Sequence, residues 1–183
     1  MLSVNVWGDL PAVRIRQPPE STLPKTSTTA QTNSVLLDIG KNPIALDTEH
    51  MDKMRLKPLV KDFNPEEITP DELSKMGKQL YQFGLIDNHT AELMDRAGAE
   101  FDKDGMPMNP QVKINALDFF AGRISAMKDN ALRGDPYAAM LLPDYIQTIH
   151  VIQNLHVYAT TGDSYATLRA REREKSTDGK AAS

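Results

Sequence analysis

The chain has 183 residues, no cysteine, and 21 Lys and Arg against 25 Asp and Glu, which gives a formal net charge of −4. This length corresponds to about one domain, and the apolar and charged fractions are ordinary for a globular protein. The lack of cysteine excludes disulfides, zinc–thiolate sites, iron–sulfur clusters and cysteine nucleophiles.

The charge is unevenly distributed. Residues 61–165 hold 9 basic and 16 acidic side chains, and such an acidic body repels phosphate backbones, so we expect no nucleic-acid partner. We find no apolar run near the ~18 residues that span a bilayer, and the N-terminus shows no basic region followed by an apolar core. The sequence therefore predicts no membrane partner, and either a cytoplasmic location or export without a cleavable signal peptide.

Residues 1–59 are predicted to form a disordered or weakly structured N-terminal arm. The stretch Gln17–Ser34 is rich in Ser, Thr, Gln and Pro and cannot bury enough apolar surface to offset the ordering of the chain. Short alternating segments on either side would be marginal as isolated strands; these are Val4–Val6 with Val13–Ile15, joined through Gly8–Pro11, and Val35–Ile39. Their alternative use is to add a strand to the sheet edge of a partner.

The segment Thr69–Phe101 predicts two helices joined in a hairpin. Thr69 is a typical N-cap, followed by proline at the first helical position and by acids in the first turn. Apolar residues then recur at helical spacing as far as Phe83. Gly84 is typical of a helix C-terminus, and Asp87 is the expected cap of a second helix that extends to Phe101.

Two more helices are predicted after an acidic turn. Asn109-Pro110 is expected to open the third, and Pro143-Asp144 to open the fourth, which Gly162 ends. The fold class is therefore all-α, a compact bundle of about four helices over residues 60–162. Residues 163–183 form a charged tail without an apolar face, which we expect to fray.

The loop Asp102–Gly105 resembles the start of a calcium-binding EF-hand. Such a loop needs oxygen ligands at positions 1, 3, 5, 7, 9 and 12, with a bidentate Glu at position 12. Counting from Asp102 places Lys113 at position 12, and counting from Glu100 places Gln111 there. We therefore interpret the loop as an acidic turn without a metal, and a calcium site that uses Asp102 and Asp104 is the alternative.

The other candidates for chemistry are scattered histidines. His150 and His156 lie six residues apart and face different sides of a helix, so they do not form the i, i+4 pair of a zinc site. His156 falls on the inner stripe of its helix, where a half-buried core histidine is expected, and His50 and His89 stand alone. The sequence contains no nucleophile elbow, P-loop or Gly-x-Gly-x-x-Gly motif, so we expect neither catalysis nor a cofactor.

The predicted function is a non-enzymatic interaction or adaptor module, in which a flexible arm and an acidic helical body bind a protein partner. The alternative is a divergent calcium- or small-ligand-binding helical domain that uses the Asp102–Gly105 loop. An enzyme with a dispersed active site is the third hypothesis, because the members of such a site need not be neighbours in sequence.

Overall fold

A computed structural model of the chain describes residues 28–101, 104 and 106–181. Within these residues the chain is mostly helical, as predicted, but it has eight helices instead of about four. The helices are α1 Ala30–Ile39, α2 Thr48–Lys53, α3 Lys57–Val60, α4 Pro70–Gln82, α5 Asn88–Arg96, α6 Ala116–Leu132, α7 Pro136–Thr161 and α8 Tyr165–Ala181. Two short strands, β1 Glu100–Phe101 and β2 Pro107–Met108, pair antiparallel between α5 and α6.

Three of the additional helices begin before residue 60. Leu46 and Met51 are 1% and 0% exposed, respectively, and they belong to the main apolar core. Their burial depends on contacts with the rest of the chain, because the local sequence gives no helical periodicity there. The boundary predicted at residue 60 therefore does not mark the start of the folded structure. Residues 1–27 of the predicted arm lie outside the described residues.

The hairpin of α4 and α5 begins as predicted. Thr69 caps α4 by accepting a hydrogen bond from the Glu72 amide, and the Glu72 carboxylate accepts one from the Thr69 amide in return. Asp87 caps α5. The prediction that α5 continues to Phe101 is wrong, because the chain turns after Arg96 and enters the pairing of β1 with β2.

The crossing of α4 and α5 depends on a glycine. A Cβ atom built on Gly77 would lie 2.9 Å from the Cβ of Met94 and 3.4 Å from the carbonyl oxygen of Ala91. The two helices therefore approach more closely than any side chain at position 77 would permit without movement.

The prediction that Asn109-Pro110 opens the third helix is wrong. Helix α6 begins later, with Asn115 as its N-cap. The residue before this cap, Ile114, forms an antiparallel bridge with Ile68 from a distant part of the chain. That contact keeps the backbone extended up to Ile114, and the local sequence does not reveal it.

Helix α7 is one helix, and the prediction that it opens at Pro143 is wrong. Asp135 caps it one residue before Pro136, and Gly162 ends it in the left-handed conformation, as predicted. Pro143 lies inside the helix, where a proline removes one backbone hydrogen bond. Pro143 and Ala139, four residues earlier, are both exposed, so water can solvate the carbonyl that loses its partner.

The second half of α7 forms the centre of the core. Ile149, Ile152, Leu155 and Tyr158 are all 0–1% exposed, and burying side chains of this size contributes roughly 1.5–3 kcal/mol each. The helix packs against α2, α3, α5 and α6. It therefore joins the N-terminal helices to the rest of the structure.

Most of the predicted C-terminal tail forms a helix, α8, within the residues that the structure describes. The amide of Tyr165 donates to the hydroxyl of Thr48 on α2 at 2.9 Å, and α8 then extends with exposed residues from Arg169 to Thr177. None of the helices in the described part of the chain combines the length and apolar character needed to cross a bilayer.

Candidate functional site

Two helix–loop–helix units meet at a short backbone bridge. The first loop (residues 61–69) connects α3 to α4, and the second loop (residues 97–115) connects α5 to α6. The amide of Ile68 donates to the carbonyl of Ile114 at 3.0 Å, and the amide of Ile114 donates to that of Ile68 at 2.8 Å. In each loop the bridging isoleucine precedes the N-cap, and the third residue of the next helix is acidic. Each unit therefore has the helix–loop–helix order of an EF-hand.

The first loop together with the first three residues of α4 has the twelve-residue length of an EF-hand loop but lacks its ligands. In a twelve-residue frame that ends on Glu72, the ligand positions 1, 3 and 5 are Lys61, Phe63 and Pro65. These side chains supply no oxygen, and the Glu72 carboxylate is already bonded to its own cap, with 2.9 Å between Oε2 and the Thr69 amide nitrogen. The first loop therefore does not fit a calcium ion.

The corresponding frame of the second loop ends on Asp118. Its positions 1, 3 and 5 are Pro107, Asn109 and Gln111, of which the first again supplies no side-chain oxygen. This frame starts after the loop that the sequence suggested, because α6 begins later than predicted.

The predicted Asp102–Gly105 loop is described in part. Asp104 is an exposed turn residue, whereas Asp102 and Gly105 lie outside the described residues. Within the residues that the structure describes, no group of three or more His, Asp or Glu side chains is arranged to hold a metal ion.

Asp118 is a buried acid that joins α6 to α1. Asp118 is only 8% exposed. Its Oδ1 atom accepts hydrogen bonds from the amide of Thr29 at 3.0 Å and from the hydroxyls of Thr29 and Thr32. Thr29 is also the N-cap of α1. One carboxylate oxygen therefore holds the first turn of α1 against the first turn of α6, while Oδ2 is buried without a hydrogen-bond partner.

Thr28 extends this contact to both loops. Its hydroxyl donates to the Glu66 carboxylate of the first loop and accepts from the side-chain amide of Asn115, at 3.2 Å, in the second loop. We call this group of polar residues the loop junction; its members are Thr28, Thr29, Thr32, Glu66, Asn115 and Asp118. It connects the start of the described chain with both helix–loop–helix units.

Polar side chains of α7 hold the segment that follows α1. The Nε2 atom of His150 lies 3.0 Å from the carbonyl oxygen of Gly40, and since a carbonyl only accepts, this nitrogen carries the proton. Asn154 and Gln147 donate in the same way to carbonyls of residues 42 and 45, at 2.8 and 3.3 Å. His150 therefore has a structural partner.

The remaining histidines do not converge. His50 lies exposed on α2 and His89 lies exposed on α5. His156 is partly buried on α7, as its inner-stripe position predicts, and its Nδ1 atom is buried without a hydrogen-bond partner.

Tyr158 is a buried hydrogen-bond donor near α2. Its hydroxyl donates to Oδ1 of Asp52 at 2.8 Å, and the ammonium of Lys57 lies 3.3 Å from the same oxygen. Burial, together with the hydrogen bond to Asp52, raises the pKa of Tyr158 far above its ordinary value. The phenol is therefore neutral at physiological pH, and the contact joins α7 to α2.

Large apolar side chains are uncovered where α6 turns into α7. Leu132, Tyr137, Met140 and Leu141 are 87%, 72%, 64% and 39% exposed. The last three follow the i, i+3, i+4 spacing that places side chains on one face of a helix. We call these four residues the turn cluster.

A groove of about 410 Å³ extends the turn cluster between α5, α6 and α7. Leu141 belongs to the turn cluster and also lines the groove. Further apolar surface of the groove comes from Leu93, Phe119 and Tyr145. The guanidinium of Arg123 lies over the ring of Phe119, 5.3 Å from its centroid. The groove is thus an apolar surface bordered by charge.

The sequence alone gives few signals for the loop junction and the turn cluster. The tyrosines of the last third of the chain are typical of interfaces, and Tyr137 and Tyr145 do lie in or next to the turn cluster. No local signal links Thr29 with Asp118, although an Asn three residues before an acid, as at Asn115, is typical of a helix start.

The chain matches no known protein family, no curated protein and no solved structure. The loop junction and the turn cluster are therefore the features from which a function can be inferred.

Proposed function

We propose that the protein is a non-catalytic interaction module that binds a protein partner through the turn cluster. The observation that carries this proposal is the exposure of four large apolar side chains at one end of the α6–α7 pair. A contiguous exposed apolar patch on a folded protein is typical of an interaction site. In this proposal the partner is a protein, not a nucleic acid or membrane, and the module works without a cofactor, in the cytoplasm or after export without a cleavable signal peptide.

The roles of the polar groups support a structural rather than a catalytic use. Asp118 accepts a hydrogen bond from the amide of Thr29 at the start of α1. His150 donates one to the Gly40 carbonyl, and Tyr158 donates one to Asp52. A general base must lie within hydrogen-bond reach of the proton that it removes. Each of these three groups instead has a partner within the fold.

The charges around the turn cluster indicate the chemistry of the partner. Lys128 forms an ion pair with Asp38 of α1, and Asp135 accepts hydrogen bonds from the first turn of α7. Arg133 is exposed and forms no ion pair with the described residues. We expect a partner with apolar anchor side chains and an acidic group placed beside them.

The test compares three forms of the full chain as bait in lysate of the source cells. These are the unaltered chain, a Tyr137→Ser/Met140→Ser double variant, and a Leu37→Ser control, whose side chain on α1 is 84% exposed. The proposal expects a partner that the unaltered chain and the control retain and that the double variant loses. The identified partner is then purified and its binding to all three forms is measured by calorimetry. Equal binding by all three forms would overturn the proposal.

Calcium titration addresses the alternative function. Amide resonances of the full chain are recorded with and without excess calcium. The proposal expects no shift around Asp104, and a saturable shift there would support a divergent calcium-binding domain in its place.

A further inference from the structure

We infer that residues 1–27 of this chain dock back onto the folded body, with the apolar stretch Val4–Ile15 in the groove between the first loop and α4. This contact is separate from the turn cluster and goes beyond the proposed function.

The groove has an apolar floor. It encloses about 430 Å³, and Phe63 and Ile68 lie buried beneath it. Leu59 is 38% exposed and Met76 is partly buried at its edge. The groove therefore offers Leu59 and Met76 as apolar contacts to an incoming segment, within a lining that is otherwise mostly polar or charged.

The described chain begins beside this groove. The Thr28 hydroxyl donates to Glu66, and the next residue of the first loop, Glu67, lines the groove. The tether between the apolar stretch and Thr28, residues 16–27, spans at most about 40 Å when extended. A tether of this length holds the stretch at an effective concentration of about a millimolar, so a modest affinity suffices for docking.

The charges of the segment and the groove are complementary. Asp62 lies exposed on the rim and forms no ion pair with the described residues. The two rim lysines, Lys75 and Lys113, already pair with Asp71 and Glu67, at 2.8 and 3.0 Å. From residue 4 to residue 16 the segment carries two basic residues, Arg14 within its apolar stretch and Arg16 directly after it, against one acidic residue, Asp9.

The apolar stretch contains the single tryptophan of the chain, Trp7, which reports on docking directly. The experiment measures the emission maximum of the full chain and its quenching by acrylamide over a range of protein concentrations. Docking predicts emission at shorter wavelength than that of free indole in water, with reduced quenching, both independent of concentration.

Groove variants make the test specific. Leu59→Lys and Asp62→Lys are expected to shift the emission to longer wavelength and to increase quenching. The control Ile44→Lys, at a residue 84% exposed and outside the groove, is expected to leave both unchanged. Circular dichroism checks that each variant is folded.

Three results would overturn the inference: solvent-like emission of the unaltered chain, emission that the groove variants do not change, or protection that grows with concentration and so indicates a second copy. The double variant Tyr137→Ser/Met140→Ser is expected to leave Trp7 emission unchanged. Failure of this inference is therefore distinguishable from failure of the proposed function.

Discussion

The first and second loops share a local design and differ in what their last acid contacts. Each loop bridges the other through an isoleucine and ends in an N-cap, and each following helix has an acid at its third position. Glu72 turns back to Thr69, its own cap. Asp118 instead accepts hydrogen bonds from Thr29 and Thr32, which lie almost ninety residues earlier in the chain.

This difference shows that an acid at the third position of a helix can stabilise its own helix end, as in α4, or hold another helix, as in α6. The Glu72 contact stabilises a single helix end, and water can replace part of it because Glu72 is exposed. The Asp118 contact is buried and holds a separate helix, so its loss leaves polar groups at the start of α1 without this acceptor.

Replacing the two acids gives the largest expected difference. We expect Asp118→Ala to lower the free energy of unfolding by about 2–3 kcal/mol, because the donors of Thr29 and Thr32 lose a charged acceptor inside the protein. We expect Glu72→Ala to lower it by about 1 kcal/mol, as for other helix caps. Urea unfolding followed by circular dichroism measures both, and equal losses would contradict the distinction between the loops.

The close crossing of α4 and α5 joins the two units, and glycine variants test it. Gly77→Ala is expected to lower the free energy of unfolding by about 1–3 kcal/mol, because the new methyl group overlaps Met94. Gly122→Ala on α6 is the matched control, since nothing lies within 4 Å of the added Cβ. The control is expected to stabilise the protein by about 0.5–1 kcal/mol. Stabilisation by both variants would show that the helices are further apart than described.

The hydrogen bond from Tyr158 to Asp52 tests the link between α7 and α2. Tyr158→Phe is expected to lower the free energy of unfolding by about 1 kcal/mol. Because the folded-state pKa of Tyr158 is raised, its contribution is complete below the ordinary tyrosine pKa of about 10 and declines as the pH rises above that value. Denaturant titrations from neutral to alkaline pH measure this decline, which should be smaller in the variant. An identical alkaline decline in both proteins would contradict the contact.

The smallest expected effect comes from the surface of the α4–α5 pair. Two hydrogen bonds lower the pKa of Asp95, the one from Lys78 more than the one from Ser74. Their stabilisation is present above the ordinary aspartate pKa and is lost as the pH falls through the lowered value. Because the pair is exposed to solvent, Asp95→Asn is expected to change the free energy of unfolding by less than about 0.5 kcal/mol at neutral pH. A salt titration checks the attribution, since the difference should shrink as ionic strength rises.

Local signals explain which parts of the fold were predictable. Thr69, Asp87 and Gly162 act through neighbouring residues, and each begins or ends a helix as predicted. The choice between Asn109 and Asn115 as the cap of α6 depends on the Ile68–Ile114 bridge, which no local pattern reveals.

The loop junction was not predictable for the same reason. The segment around Thr29 has the composition of a disordered stretch, and α1 gains its stability from Asp118 and from the packing of Val35 and Leu36 on the core. The exposure of the turn cluster likewise depends on where α7 begins, which the prediction placed too late in the chain.

Hydrogen exchange of the α1 amides tests most directly the claim that Asp118 holds α1 in the folded body. The amides of residues 34–39 are measured by NMR in the unaltered chain, in Asp118→Ala and in Glu72→Ala as the control. We expect Asp118→Ala to accelerate exchange in α1 much more than in α4 and α5, and Glu72→Ala to leave α1 protected. Unprotected α1 amides in the unaltered chain, or equal protection of α1 in all three proteins, would contradict this claim.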